Sequence, residues 1–523
     1  MDAACIRQTE LPGTTALFAD YLYAFDRVAR FYAWDPHSTE SFRRAAAAID
    51  FQTQRRAALV EALREQNGPG ELLDLLARPE TVAVVTGQQV GLFSGPCYTV
   101  YKALTAVRLA RQLSEAGLPA APVFWLATED HDFAEVDHCW VFNARQQTVR
   151  LQMPGESVGS QPVGRIQIAA APVEGLREAL TGLPFAAEVV AAVERAYAPG
   201  ETLGSAFGRL LKDVLGPQAP LLFDPLHPAA RRLAAPALGQ AARLAHELSR
   251  RVLERGAALT AAGYHAQVLV EPHTSFLFLL EGGRRVPLRL DGDGFVGNGR
   301  RYTSDELVER AEDLSPNALL RPVIQDSMLP TVAYVGGPAE VAYLAQSGPL
   351  YDRLLGRMPV AVPRQSLTLL DARAAKLMAR YHLTLDSLVR GGAGEGIAAQ
   401  LVPPHIEAAL RETSEKLWDL LESLGAELER FDPTLGEAFA RSRRKIGYQM
   451  LKTDRKVARE ALRRDDRAQA EAAYLHGLLY PEKRLQERLY SILPFLARHG
   501  GALIGRLAEE VRLDCPDHRV ITL

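Results

Sequence analysis

Residues 81–102 read TVAVVTGQQVGLFSGPCYTVYK. Val82, Val84 and Val85 form a β-branched run that predicts a buried strand. Gly87, Gly91 and Gly95 break the turn after it. Pro96 is suited to open a helix carrying Val100, Leu104 and Val107 on one side. The order is strand, glycine-rich loop, helix N-terminus. About one strand–helix step later, residues 124–136 read FWLATEDHDFAEV. Residues 123–127 predict a second strand, ending in Glu129, Asp130, His131 and Asp132. Open α/β sheets bind ligands just beyond the carboxyl ends of their parallel strands. The expectation is an α/β enzyme with an anion- or nucleotide-sized pocket at these strand ends.

Working outward, residues 12–51 and 53–65 have helical spacing, and further strands are expected at 149–151 and 221–223, with a helix at 203–214. From 263 to 299 the texture changes. Residues 266–271, 276–280 and 285–290 are strand-like runs separated by glycine turns, which predicts an antiparallel insertion. The α/β layer is expected to resume with strands at 323–325 and 331–335 and a helix from Pro338. Beyond 371 helices dominate. Leu410, Ser414, Leu417, Leu421, Leu424, Leu428 and Phe431 recur in steps of three and four, a coiled-coil seam. Asp432-Pro433 ends that helix, and a return helix carries Leu435, Phe439, Ile446, Met450 and Val457. A last helix is expected to begin at Pro481 and to bury Leu485, Leu489, Ile492 and Leu496. The expected divisions are 1–75, a helical segment joining the core; 76–260 and 313–375, the two parts of the core; 261–312, the insertion; 376–505, the helical coiled-coil domain; and 506–523, a return segment.

The chain has 523 residues, suited to about three domains, with 60 basic and 63 acidic side chains for a net charge of -3. That balance gives no long-range attraction to nucleic acid. Arg441, Arg443, Arg444 and Lys445 read as the solvated face of a long helix. Cys5, Cys97, Cys139 and Cys515 form no CxxC pair, which argues against a disulfide scaffold or thiolate zinc site. No apolar run has the length of a signal peptide or membrane span, so a cytoplasmic location without membrane contact is expected.

The chemical signals sit at the strand ends. No GxxxxGK[ST] motif occurs, and the one GxGxxG, residues 292–297, lies in the insertion and reads as a hairpin turn. At Thr86, Gly87, Gln88, Gln89, Gly91, Ser94 and Gly95, the glycines would let the backbone approach a ligand, and the helix amides after Ser94 would hold an anion. Three carboxylates packed beside His131 repel unless solvated or paired, and a substrate ammonium is a natural partner. Contiguous spacing suits metal chelation poorly, and no metal site is expected. His131, whose free pKa lies nearest neutrality, is the candidate for proton transfer. Asn317, Arg321, Gln325 and Asp326 carry directional hydrogen bonds, and Arg321 can take a carboxylate or phosphate bidentately. Gly336, Gly337 and Glu340 again place a glycine turn before a helix, with Tyr334 and Tyr343 nearby. Cys97 has no activating neighbour in sequence.

Together TGQQVGLFSGPCYTVYKALTAVRLA, WLATEDHDFAEV, SPNALLRPVIQD, PTVAYVGGPAEVAYLAQ and VPRQSLTLLD resemble the BshC family, the cysteine-adding enzymes of bacillithiol biosynthesis. The resemblance implies a Rossmann-like parallel-sheet core with connecting-peptide insertions and a C-terminal coiled coil supporting a homodimer. It implies addition of L-cysteine to the glucosamine amine of glucosaminyl-malate, and binding of an adenine nucleotide, ATP or ADP. Related nucleotidylyl transferases carry a histidine signature where this chain has Thr86–Gln89. Amide formation from a free carboxylate needs activation. In an ATP-dependent route the glycine turn would hold phosphates, Arg321 would offset developing charge, Asp130 or Asp132 would orient the amine or ammonium, and His131 would take the amine proton. A nucleotidylyl or glycosyl transferase, or a nucleotide-binding scaffold without turnover, stays open as an alternative.

Overall fold

The computed structural model describes residues 4–154 and 159–523. Five strands form the central sheet: β1 (Val82–Gln88), β2 (Ala120–Leu126), β3 (Leu221–Phe223), β4 (Thr331–Gly336) and β5 (Val360–Pro363). All neighbours run parallel, in the order β5-β4-β1-β2-β3. Both faces are covered, as a parallel sheet requires, and every residue of β2 and β4 is buried. The chain leaves β1 through helix α1 (Tyr98–Glu115) to β2 on one side, whereas β4 lies on the other. The strand order therefore reverses between β1 and β4, and a crevice opens at the carboxyl ends there. Helix α2 (Pro228–Arg243) packs against α3 (Arg321–Met328), and α3 and α4 (Pro338–Leu354) contribute to the outer walls of the crevice.

A second, antiparallel sheet runs through Thr274–Glu281, Arg284–Asp291, Gly294–Gly297 and Arg300–Tyr302, with Leu314–Pro316 along its other edge. The GDGFVG run is a turn opening a hairpin within it. Residues 266–271, expected as a strand, are irregular. The Gln346 side chain occupies both backbone groups of Val268 at 2.8 and 2.9 Å, and Leu269 stands 84% exposed. Residues 323–325, also expected as a strand, belong to α3. Asn317 Oδ1 accepts from the amides of Leu319 and Leu320, and Pro322 sits in the first turn, where its missing N–H costs nothing. The strand expected at 149–151 is Thr148–Gln152, paired antiparallel with His138–Phe142 outside the central sheet.

In the C-terminal region α5 (Pro404–Phe431) and α6 (Pro433–Arg463) fold back as an antiparallel hairpin, with Asp432 capping α6 through the Thr434 amide at 2.7 Å. The seam closes within the chain. Leu410, Leu417, Leu421 and Leu428 are buried or half-buried, as are Phe439, Ile446, Met450 and Val457. Leu424 and Phe431, expected in the seam, and Leu435 of the return helix are 48%, 83% and 43% exposed, since they stand next to the turn of the hairpin or on its outer face. The helix expected from Pro481 is broken into Pro481–Lys483, Gln486–Leu489 and Leu493–His499. Glu482 and Lys483 take left-handed backbone angles at the start. The four apolar residues named for it are nevertheless buried. The last strand, His518–Thr522, pairs with Ser366–Leu370 and with Ala4–Ile6, and brings the Cys5 and Cys515 sulfurs to 3.8 Å. Among the described residues no helix is long and apolar enough to cross a membrane.

Candidate active site

A cavity of about 540 Å³ fills the crevice at the carboxyl ends of β1, β2 and β4. Its floor begins with Gly87. A Cβ there would lie 2.8 Å from the Trp125 carbonyl oxygen, so the β1–β2 approach excludes any side chain. Lys102, one turn into α1, reaches back beneath this loop. Its Nζ donates to Gly87 O at 2.8 Å and Gln88 Oε1 at 2.9 Å, and pairs with Glu340. Burial pushes the Lys102 ammonium down. Burial also pushes the Glu340 carboxyl up, but the Lys102 charge and bonds from Tyr334 and the Gly337 amide outweigh it and hold Glu340 below the ordinary carboxylate range. Glu340 thus caps α4 while tying it to α1 and to the β1 loop.

The β2 side carries the acids. Gln89 Nε2 donates to Asp130 Oδ2 and Glu135 Oε2, 2.7 Å each. Burial raises the Asp130 carboxyl, and the Gln89 bond, the Arg285 charge and two backbone amides more than reverse this. Asp130 is thereby held ionised. Glu129 is buried against Arg231 of α2, whose guanidinium also donates to the carbonyls of Glu312 and Leu314. His131 faces Arg285 of the antiparallel sheet, Nδ1 to Nη1 at 3.1 Å.

The β4 and β5 side carries the cations. Arg321 donates to Gln325 Oε1 at 2.8 Å, Tyr343 Oη at 2.9 Å and Tyr334 Oη at 3.1 Å. Among the described residues no carboxylate lies within ion-pair distance of Arg321 or Arg488, and no cation within ion-pair distance of Glu135. Arg364, just past β5, lines the cavity and is clamped by the buried Glu487 at 2.7 and 2.9 Å.

Two family models cover this architecture. Bacillithiol biosynthesis BshC, N-terminal Rossmann-like domain, matches residues 1–365, and Bacillithiol biosynthesis BshC, C-terminal coiled-coil domain, matches residues 367–523. The chain belongs to the BshC family. It is 54% identical to a relative from Solibacter usitatus over all of both chains, and 36% identical to one from Koribacter versatilis over 99% of both. A third, from Salinibacter ruber, is 33% identical over 97% of this chain and 96% of its own. Each carries the name "Putative cysteine ligase BshC".

Of the residues singled out from sequence, Gly87, Gln88, Gln89, Glu129, Asp130, His131, Asn317, Arg321, Gly337 and Glu340 line the cavity of this BshC-family chain. Others stand behind it. Gln325 and the buried Asp326 back Arg321 in a relay, Gln325 donating to Asp326 at 2.9 Å. Thr86 pins β1 to β4 through Val335 O at 2.8 Å, and Gly336 accepts from the Arg364 amide. Asp132 caps the short helix Phe133–Val136 from an exposed position. Gly91, Ser94 and Gly95 are buried away from the cavity wall. The expected anion cradle is not formed there. The Phe93 amide donates to Tyr197 Oη, the Gly95 amide to Leu92 O and the Cys97 amide to Tyr490 O, while Ser94 meets Ser491. These N–H groups are spent, so this loop does not fit a nucleotide's phosphates. Cys97 is buried and burial pushes its thiol up, away from nucleophilic use. Among the described residues no group of three or more His, Cys, Asp or Glu is placed to hold a metal ion.

The charged residues Lys102, Glu135, Arg285, Arg364 and Arg488 also line the wall and were not singled out for it. Lys102 alone left a signal, as a lysine inside an otherwise buried helical stretch.

Proposed function

We propose that this chain is a ligase joining L-cysteine to the glucosamine amine of glucosaminyl-malate in bacillithiol biosynthesis. Family membership supports the reaction, and one feature of the cavity supports the substrate. Charges with no ion-pair partner stand on opposite sides of β1, Glu135 on the β2 side and Arg321 on the β4 side, and Arg488 lines the same cavity from the C-terminal segment. Such a cavity is matched by a ligand carrying an amine at one end and carboxylates at the other. In this reading the malyl carboxylates meet Arg321 and Arg488, and Asp130 and Glu135 orient the amine. The C–N bond forms as the acyl carbon of an activated cysteine loses its leaving oxygen. ATP remains the expected activator, but no step is assigned to it, because the glycine loop does not fit its phosphates. Calorimetry tests the polarity of the site. Glucosaminyl-malate is expected to bind about a hundredfold or more tighter than glucosamine without the malyl group. Equal affinities would contradict the assignment of the arginine side.

We also propose a homodimer through the hairpin. With its seam already closed, Leu420, Phe431, Tyr448 and Leu451 remain 60% exposed or more. Sedimentation velocity over a concentration series is expected to show a dimer; a monomer at every concentration would refute it.

A further inference from the structure

The antiparallel sheet sends one side chain into the cavity. Arg285 lies on Arg284–Asp291, is 7% exposed, and is held at every turn of its length. Its guanidinium carbon sits 3.9 Å from the centroid of the Phe278 ring on the neighbouring strand. Nε donates to Ser315 Oγ at 3.1 Å and Nη2 to Pro316 O at 2.6 Å. Nη1 is left to face His131 Nδ1 at 3.1 Å, with Asp130 Oδ1 at 3.6 Å. The imidazole is also flanked by Phe278, 5.6 Å between centroids.

A guanidinium donates and never accepts. Asp130 Oδ1 stands 3.7 Å from His131 Nδ1, beyond hydrogen-bond reach, so Nδ1 meets the Arg285 donor with its lone pair, and a neutral imidazole then carries its one hydrogen on Nε2. That nitrogen has no lone pair left to offer. We propose that Arg285 is a positioning residue that fixes His131 as the Nε2–H tautomer, so that His131 donates a hydrogen bond to a substrate oxygen rather than accepting the amine proton. This role for His131 in turnover rests on the ligase reading above; the tautomer does not. The groups facing the ring agree with it. Burial first, and then the Arg285 charge, push the imidazole below its ordinary value, against the opposing pull of Asp130 and Asp132. Burial pushes the Arg285 guanidinium down, only partly offset by the Glu129 and Asp130 charges and reinforced by Arg231. His131 is thus neutral at pH 7. The donor would serve the acyl oxygen, where negative charge grows as nitrogen attacks. The amine proton would leave to a carboxylate of the same wall, Asp130 or Glu135.

Long-range ¹H–¹⁵N spectra of the full-length protein with labelled histidine test the tautomer without any turnover. In the wild type, His131 is expected to show a bare Nδ1 and a protonated Nε2 at neutral pH. In Arg285→Met that preference is expected to collapse to a mixture and the titration midpoint to move upward, while Arg285→Lys keeps both close to wild type. A wild-type His131 protonated on Nδ1, or an Arg285→Met spectrum unchanged from wild type, would overturn the proposal. If Arg285→Met does not fold, the wild-type spectrum alone decides. Turnover supplies an independent readout. His131→Gln, whose amide supplies an N–H donor but no base, is expected to keep kcat/KM within about tenfold, while His131→Ala loses about a hundredfold or more. Equal losses in the two variants would return His131 to the role of base.

Discussion

Replacing Arg321 with alanine is expected to lower kcat/KM for glucosaminyl-malate by about a thousandfold, or about 4 kcal/mol, with the protein still folded. The magnitude follows from how the guanidinium is held. Three of its N–H donors are bound by Gln325, Tyr334 and Tyr343, which fixes the plane of the guanidinium and leaves one N–H on Nε and one on Nη1 for a ligand. Its charge has no carboxylate at ion-pair distance among the described residues, so a bound anion supplies the missing partner. A charge-assisted pair of this kind, shielded from water, loses about 2–5 kcal/mol when one side is truncated. Folding is spared because alanine breaks no ion pair at this position, and the Tyr334 hydroxyl keeps its 2.6 Å bond to Glu340. R321K is expected to recover only part of the loss, since an ammonium keeps the charge but not the planar fork. The loss should nearly vanish with a substrate lacking the malyl carboxylates. A kcat/KM within threefold of wild type would remove Arg321 from the site.

The second large effect concerns stability. Glu487→Ala is expected to destabilise the protein by about 3–5 kcal/mol, measured by urea unfolding. Glu487 is 1% exposed and accepts four hydrogen bonds: two from Arg364 at 2.7 and 2.9 Å, one from Ser366 Oγ at 2.8 Å and one from the Leu367 amide at 3.0 Å. Burial alone would raise its carboxyl, and the Arg364 charge more than reverses that. Removing the carboxylate strands a buried guanidinium and leaves the other donors unsatisfied, which is the expensive way to break such a pair. His518 is part of the same cluster. It lies between Ser366 and Thr368 at 2.7 and 2.8 Å and is pushed down to about 4, chiefly by burial. Glu487→Gln, which keeps the shape and some of the bonds, is expected to lose less. Because Arg364 also lines the cavity, Glu487→Ala should weaken substrate binding even in the folded fraction. A stability loss below about 1 kcal/mol would show that the pair does not hold the C-terminal segment to the core.

Most of the sheet was legible, though not its edge strand β5, because a parallel strand buried on both faces must be apolar along its length. The runs at β1, β2, β3 and β4 satisfied that, and the polar clusters at their ends marked the crevice. The same rule misled at residues 323–325. Val323 and Ile324 are β-branched but stand in a short helix fixed by Asn317 and Pro322. At residues 266–271 the alternation was genuine, yet the Gln346 side chain took the place of a partner strand. The hairpin was legible from its period, although Leu424 and Phe431 stand outward from the seam. Within the site, Gln89 and Asp130 declared themselves as polar residues at strand ends. Arg285 did not, because only the placement of the antiparallel sheet brings it to His131 across 154 positions. The glycine loop failed as an anion cradle for the opposite reason. Tyr197 and Tyr490, distant in sequence, had already taken its N–H groups.

The most direct test is a mass-resolved assay of the purified protein with glucosaminyl-malate, L-cysteine and ATP, each omitted in turn. The cysteinyl amide is expected only when the malyl amino sugar and cysteine are both present, with a nucleotide product when ATP is the activator. Product formed without ATP would keep the ligase and require a pre-activated cysteine. No amide from folded protein that binds glucosaminyl-malate, with ATP or with an activated cysteine donor, would contradict the ligase reading.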